Sequence, residues 1–366
     1  MTRFPTYVFE ERIRSLGAEP VPLHGTPAPA LPPHVVEAVA EALGLPMRTP
    51  PARGLESLRD ALADELERTT GRAVDPGSQL LVTHGAMQAL GVLFRTLLSA
   101  GDEVAVPAPC FFFERPIRAG GGRPVYASSR AEEGWTWDVE AIEAAVGPRT
   151  RVLLLCNPEN PTGHVPSAEE VASAIAVAER HDLLVVTDEA YERSLWDGAS
   201  LTSAFGLTER AIVVRSLGKS LAMPHLRLGL LAGPADLVEQ CAETLEWDCL
   251  RVGVASQTAA LAALEGPQEW LELVDAAMSQ ARTVALETVE QIGALEVIPP
   301  RGGPFLFLGA PDGRPELADE LLAVGLPVVD GGEFQAPGRA RLPFGGANAC
   351  RPALERALAA WEATRA

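Results

Sequence analysis

The sequence predicts an α/β fold: a large part built on a mostly parallel, helix-covered sheet, with a smaller α+β part beside it. Three observations predict it. Short apolar runs recur at 79–83, 103–106, 151–156, 182–187 and 211–215. Stretches of helical period lie between them, and past residue 237 the pattern turns long and helical before short strands return. Strands that are apolar throughout and joined by helices belong to a parallel sheet covered on both faces.

In chain order, the proline-rich stretch 20–33 is expected to run across the surface and join the smaller part. Over 53–68, Leu55, Leu58, Leu62 and Leu66 mark one face of a helix. The run QLLVT at 79–83 reads as a buried strand that leads through Gly85 into a helix over 87–98. Gly101 and Asp102 then turn the chain into the strand 103–106. Between the strands 151–156 and 182–187, residues 167–180 have helical period with Ser167 as the cap. A long helical pattern covers 237–264. A helix over 270–293, strands at 295–298 and 305–308 and a helix over 354–361 form the smaller part. The large part is expected to span 47–245, and the smaller one 1–46 together with 246–366.

Composition narrows the function. The chain has 366 residues, 47% of them hydrophobic, which is ample for a core. Its 49 acidic against 30 basic residues give a net charge of −19, which argues against nucleic acid or an anionic membrane as partner. No stretch approaches the ~18 consecutive apolar residues of a membrane span, and the N-terminus lacks an apolar segment with a cleavage site, so a cytoplasmic protein is expected. Five scattered cysteines without a C-x-x-C pair read as reduced and structural. Six dispersed histidines without H-E-x-x-H give no metal site.

In α/β sheets the ligand lies at the carboxyl ends of the strands, and the uncommon polar residues fall there. After 79–83 come His84, Gly85, Ala86 and Met87, a small-residue turn opening a helix. Free N–H groups at such a turn suit a phosphate, and an ordinary tight turn reads equally well. After 103–106 come Phe111, Phe112 and Phe113, which could stack on a flat ring or pack in the core. After Cys156 runs Asn-Pro-Glu-Asn-Pro-Thr-Gly, ending at Gly163, and after Thr187 runs Asp188-Glu189-Ala190-Tyr191. After Arg215 stand Ser216-Leu217-Gly218-Lys219, followed by Leu226-Arg227-Leu228-Gly229. Each alone has a bland reading as a loop or a solvated charge. Together they supply an amine for a Schiff base, an acid for a pyridinium nitrogen, a phenol and an amide for a ring oxygen, and donors for a phosphate.

On N-P-x-N-P-T-G, D-E-A-Y and S-x-x-K with its R-L-G, the chain resembles the class I/II aminotransferases, fold-type I enzymes that use pyridoxal 5'-phosphate, from about residue 23 to 361. The resemblance implies that Lys219 forms the Schiff base with the cofactor and then shuttles the proton. It implies that Asp188 pairs with the ring nitrogen, and that Asn160 and Tyr191 bond the phenolic oxygen. Ser216, Arg227 and the backbone of Gly85, Ala86 and Met87 would hold the phosphate, and Phe111 would stack on the ring. Arg341, in A-R-L-P-F, resembles the arginine that clamps the substrate α-carboxylate, with Arg339 beside it as the other candidate. Gly25 resembles the glycine that closes over the substrate. The substrates implied are an L-amino acid and a 2-oxo acid, in a homodimer.

The sequence departs from the family pattern in places. Thr49 stands where a tyrosine usually reaches the neighbouring subunit's phosphate. Met87 offers no polar group where many relatives have one, and His225 replaces a common glycine. Two reaction classes share every residue named: amino transfer, or a β-elimination, cyclisation or other side-chain reaction on the same fold.

Overall fold

The computed structural model describes residues 9–23, 30–45 and 49–364. Seven strands form the large sheet: β1 (Leu80–Thr83), β2 (Glu103–Ala108), β3 (Arg123–Ser128), β4 (Thr150–Cys156), β5 (Leu184–Asp188), β6 (Ala211–Arg215) and β7 (Gly229–Ala232). Their order is β1-β7-β6-β5-β4-β2-β3. The pairs from β3 through β2, β4 and β5 to β6 are parallel, whereas β7 runs antiparallel to both β6 and β1. The expected sheet is therefore present, with one reversed strand.

Burial on both faces explains the apolar runs. Leu153, Leu155, Val185 and Val213 point into one core, which also takes Val171, Ala174, Ile175 and Ala178 of the helix Ala168–Arg180. Their neighbours Val152, Leu154, Val186, Ile212 and Val214 point into a second core, packed by the helices Ala86–Leu97 and Ala235–Cys249. Alternate residues of one strand thus serve opposite cores. Leu154 is fully buried, so Leu154→Ala is expected to lower the unfolding free energy by about 2–5 kcal/mol through lost burial and a cavity. Chemical denaturation at unchanged slope measures it.

The helix Ala168–Arg180 starts with a complete capping box: Ser167 Oγ accepts from Glu170 N–H, and Glu170 Oε2 accepts from Ser167 N–H. The helix expected over 53–68 is Glu56–Thr70, and that expected over 87–98 is Ala86–Leu97. Two strands carry no run of the expected kind. β3 lies at the sheet edge and is exposed at both ends, and β7 has four residues beginning with glycine. The single long pattern over 237–264 is two helices, Ala235–Cys249 and Val254–Glu265, separated at Leu250, whose φ is +60°. Helical periodicity continues across that break because both helices bury one face, so sequence alone joins them.

A second sheet of four antiparallel strands has the order β10-β11-β9-β8, from β8 (Glu296–Val297), β9 (Phe305–Gly309), β10 (Val329–Asp330) and β11 (Arg339–Pro343). The helices Glu269–Ile292 and Ala347–Ala363 pack on each other beside it. The start of the proline-rich stretch joins this part: Val21 N–H bonds Gly325 O (2.8 Å), and Gly346 N–H bonds Leu23 O (3.1 Å). Leu23 is fully buried there, not on the surface. Among the described residues no helix is long and apolar enough to cross a membrane.

Candidate active site

The parallel pairing aligns the carboxyl ends of β4, β5 and β6, with Cys156 opposite Asp188 and Asp188 opposite Val214. Because β7 is reversed, its first residue reaches the same rim: Gly229 pairs with Thr83, the last residue of β1. Every polar segment singled out between 84 and 229 therefore opens on one edge of one sheet.

On β1 and β7 the site is a cradle. Gly85 has φ +82° and precedes the helix Ala86–Leu97, which has no side-chain cap, so its first amides lack an intrahelical acceptor. A β-carbon on Gly85 would stand 3.0 Å from Arg227 Nη2, and one on Gly229 would overlap the carbonyl carbon of Gly85 at 2.7 Å. Glycine at both positions lets the exposed Arg227 guanidinium lie against the helix start. A guanidinium beside free amides at a helix N-terminus is a site for an anion. Met87, half-buried, presents only its backbone polar atoms. Ser216 is buried and precedes the four-residue helix Leu217–Ser220 that carries Lys219.

Asp188 closes β5. It is buried, its Oδ1 accepts from Ala190 N–H (3.0 Å), and no ion pair holds it among the described residues. Burial pushes its carboxyl up to about 7, the Ala190 N–H acts the other way, and the acids Glu189 and Glu192 add to the rise. The buried cation nearby is already engaged: Arg215 Nη2 lies 2.8 Å from Glu189 Oε2, and Nη1 donates to Thr69 Oγ1. Lys219 is half-buried, with Nζ 5.4 Å from the centre of the Tyr191 ring. Tyr191 in turn packs edge-on to Phe305 of β9 at 5.5 Å, which joins the two sheets at the site.

The second sheet contributes Arg341 on β11. It is buried, Nη1 donates to Asn160 Oδ1 (2.9 Å), and Nε has no partner. The rings of Phe305 and Phe334 lie 4.3 and 4.9 Å from its guanidinium carbon. Desolvation lowers its pKa to about 10, opposed by Tyr191. Arg339 points elsewhere, 4.9 Å from the Trp135 ring and 3.8 Å from Glu296 Oε2. A guanidinium that keeps its charge without a carboxylate, with rings nearby and one N–H unsatisfied, fits an incoming carboxylate at its edge.

The structure thus brings Gly85, Ala86, Met87, Asn160, Asp188, Tyr191, Ser216, Lys219 and Arg227 to one rim, with Arg341 against Asn160. Phe111 is half-buried in the loop after β2, 4.8 Å from Phe112 and 5.6 Å from Phe113. His225 and Thr49 are exposed, and Gly25 lies outside the described residues. Two acids lie beside motif residues. Glu159 is buried inside the Asn-Pro-Glu-Asn turn, and Glu192, half-buried, lies next to Tyr191 with Oε2 unpartnered. Their signal was only an acid adjacent to a motif residue.

Comparison with known proteins agrees with this geometry. A family model described as aminotransferase class I and II matches residues 21–360. The chain is 33% identical over 343 residues to an aspartate/prephenate aminotransferase of Thermus thermophilus, covering 91% of this chain and 88% of that protein. Among solved structures, the aspartate aminotransferase from Thermus thermophilus with maleate superposes with a TM-score of 0.90 at 31% identity, covering 97% of this chain and 96% of that one. An aromatic aminotransferase from Pyrococcus horikoshii gives 0.89 at 27%, covering 98% and 99%. With the sheet order, the rim of polar segments and a match over nearly its whole length, the chain belongs to the class I and II aminotransferase family and is an aminotransferase enzyme.

Proposed function

We propose that the protein uses pyridoxal 5'-phosphate to move an amino group between an L-amino acid and a 2-oxo acid, with Lys219 as the amine that bonds the cofactor. The observation that carries the reading is a pair of uncompensated buried charges at one site. Among the described residues Asp188 is an acid without a cation, and Arg341 is a cation without an acid. A ring with a protonated nitrogen complements the first, and an α-carboxylate complements the second. The cradle at Gly85 and Arg227 fits the phosphate.

In this reading Ser216, Arg227 and the backbone of Gly85, Ala86 and Met87 hold the phosphate, Phe111 stacks on the ring, and Asn160 and Tyr191 bond its phenolic oxygen. Bound pyridoxal 5'-phosphate supplies a carbonyl that condenses with amines and a cationic ring that draws electrons from the substrate Cα. The chain's own residues do the rest. Arg341 orients the substrate through its carboxylate, so that the Cα–H bond faces Lys219. Asp188 keeps the ring nitrogen protonated. Lys219 Nζ takes the proton from Cα and would deliver it to the cofactor's former carbonyl carbon, which leaves the amino nitrogen with the cofactor. The rings of Phe305 and Phe334 keep water from the clamp. Gly25 would close over the substrate. We further propose a homodimer in the cytoplasm, with the large part over 47–245 and the smaller over 1–46 and 246–366, divided as the two sheets are.

The test is the visible absorption spectrum of the protein with pyridoxal 5'-phosphate, before and after L-amino acids added one at a time. An amino acid that bleaches the protein-bound band, and a 2-oxo acid that restores it, establish amino transfer and name the donor class. Release of ammonia or pyruvate without restoration overturns it in favour of elimination. Arg341→Ala is expected to raise KM for the donor by about 10²-fold, the loss of a charge-assisted pair of ~2–3 kcal/mol, with cofactor affinity little changed. Steady-state kinetics and a cofactor titration check it, and an unchanged KM would move the role to Arg339.

A further inference from the structure

A buried polar cluster lies behind the turn that carries Asn160. Glu159 is 2% exposed, and among the described residues no lysine or arginine pairs with it. Its Oε1 accepts from Trp137 Nε1–H at 2.5 Å, and its Oε2 accepts from Thr162 Oγ1–H at 2.8 Å. The backbone is tied as well: Glu159 N–H bonds His164 O (2.9 Å), and Gly163 N–H bonds Glu159 O (3.0 Å). Trp137 is itself fixed, because its backbone N–H donates to Glu170 Oε1 (3.0 Å), which also lies 2.8 Å from His164 Nε2. Glu170 belongs to the capping box of Ala168–Arg180. One chain of bonds thus runs from a helix cap, through Trp137 and the Glu159 carboxylate, to the turn 157–163.

Burying an acid that no lysine or arginine pairs with is unfavourable, charged or protonated, and the one cationic influence on Glu159 among the described residues, His164, is already bonded to Glu170; an apolar side chain would fill the same space without that cost. Its presence therefore calls for a task. Asn160 follows directly, and its Oδ1 accepts the one side-chain hydrogen bond that Arg341 makes among the described residues. Arg341 comes from the other sheet, 181 residues away, with rings beside its guanidinium and Nε unsatisfied. Among the described residues only Asn160 orients that guanidinium by a directed bond.

We propose that Glu159 is the positioning residue of the carboxylate clamp: by tying residues 159–162 to Trp137, it holds Asn160 Oδ1 on Arg341 and so aims the guanidinium edge. The consequence for catalysis rests on Arg341 being the residue that binds the α-carboxylate. Burial pushes the Glu159 carboxyl up to about 7, so glutamine, isosteric with the neutral acid, keeps both bonds: its carbonyl accepts from Trp137 and its amide donates to Thr162.

The test uses the full chain and reads Arg341 directly. In nitrogen-15 spectra of arginine side chains, the Arg341 Nε–H signal is identified by its disappearance in Arg341→Ala. Glu159→Ala is expected to shift or broaden that signal, and Glu159→Gln to leave it in place. With pyridoxal 5'-phosphate bound, Glu159→Ala should raise KM for the donor about tenfold or more while kcat changes much less, since a misplacement of ~1 Å is felt at this scale, and Glu159→Gln should restore KM. An Arg341 signal unchanged in a folded Glu159→Ala protein overturns the proposal. A signal that moves while Arg341→Ala leaves KM unaltered overturns instead the assignment of Arg341 to the carboxylate. Should Glu159→Ala not fold, Trp137→Phe removes one of the two anchors from outside the turn and is read in the same way, an unmoved Arg341 signal again overturning the proposal.

Discussion

Lys219→Ala is expected to abolish turnover, by about 10⁴-fold or more, while the protein melts as the parent does. The two halves of that expectation have separate physical grounds. Loss of a positioned proton carrier alone is worth ~10²–10⁴-fold, and the variant also loses the amine that bonds the cofactor. Stability should hardly change, because the side chain is half-buried, its short helix is bonded through backbone groups such as Lys219 N–H to Ser216 O (2.8 Å), and no ion pair restrains it among the described residues. Single-turnover kinetics with a saturating donor measure the first half and a thermal melt the second. Retained turnover in a folded variant would remove Lys219 from the mechanism. A melt lowered by several degrees would show that the amine also holds the turn after β6, which the contacts do not indicate.

Much of this site was legible because chemistry and topology coincide. Apolar runs marked the strands, and in a sheet buried on both faces the short polar segment after each run opens on the rim, which placed the segments holding Asp188, Asn160 and Lys219 together. What was not legible depends on distant partners. Arg339 and Arg341 are two apart on one strand and so share a face, and periodicity cannot separate them. Only Glu296 and Trp135 beside the first, and Asn160 and Phe305 beside the second, do that. β7 escaped notice because four residues starting with glycine make no pattern, yet its reversal brings Arg227 to Gly85. Glu159 looked like a loop acid because its partner Trp137 lies 22 residues away, and no local rule pairs them.

Asp188→Asn is expected to slow removal of the Cα proton by about 10³-fold or more with cofactor still bound, since amide and acid are isosteric but only the carboxylate favours a protonated ring nitrogen. The same variant makes an opposite prediction for the cofactor-free protein. In the unfolded chain this carboxyl titrates at its ordinary value, 3.8, whereas in the fold burial raises it to about 7. The folded state therefore binds the proton more tightly, so the group's contribution is most favourable below about pH 4 and is lost as the pH rises to 7. The full change is of the order of 4 kcal/mol, because each tenfold shift in proton affinity is worth about 1.4 kcal/mol. Asparagine carries no charge to desolvate. The cofactor-free Asp188→Asn protein should thus melt higher than the parent at pH 8 and nearly equal to it at pH 4, while Glu159 and Glu192, also raised to about 7, keep a residual pH slope in both. Melting curves across that range decide it. A cation brought to Asp188 should stabilise the carboxylate and reverse the order, so that the parent gains more from pyridoxal 5'-phosphate than the variant does. Equal gains would mean that the ring nitrogen is not served by this acid, and the burial of Asp188 without a cation would need another cause.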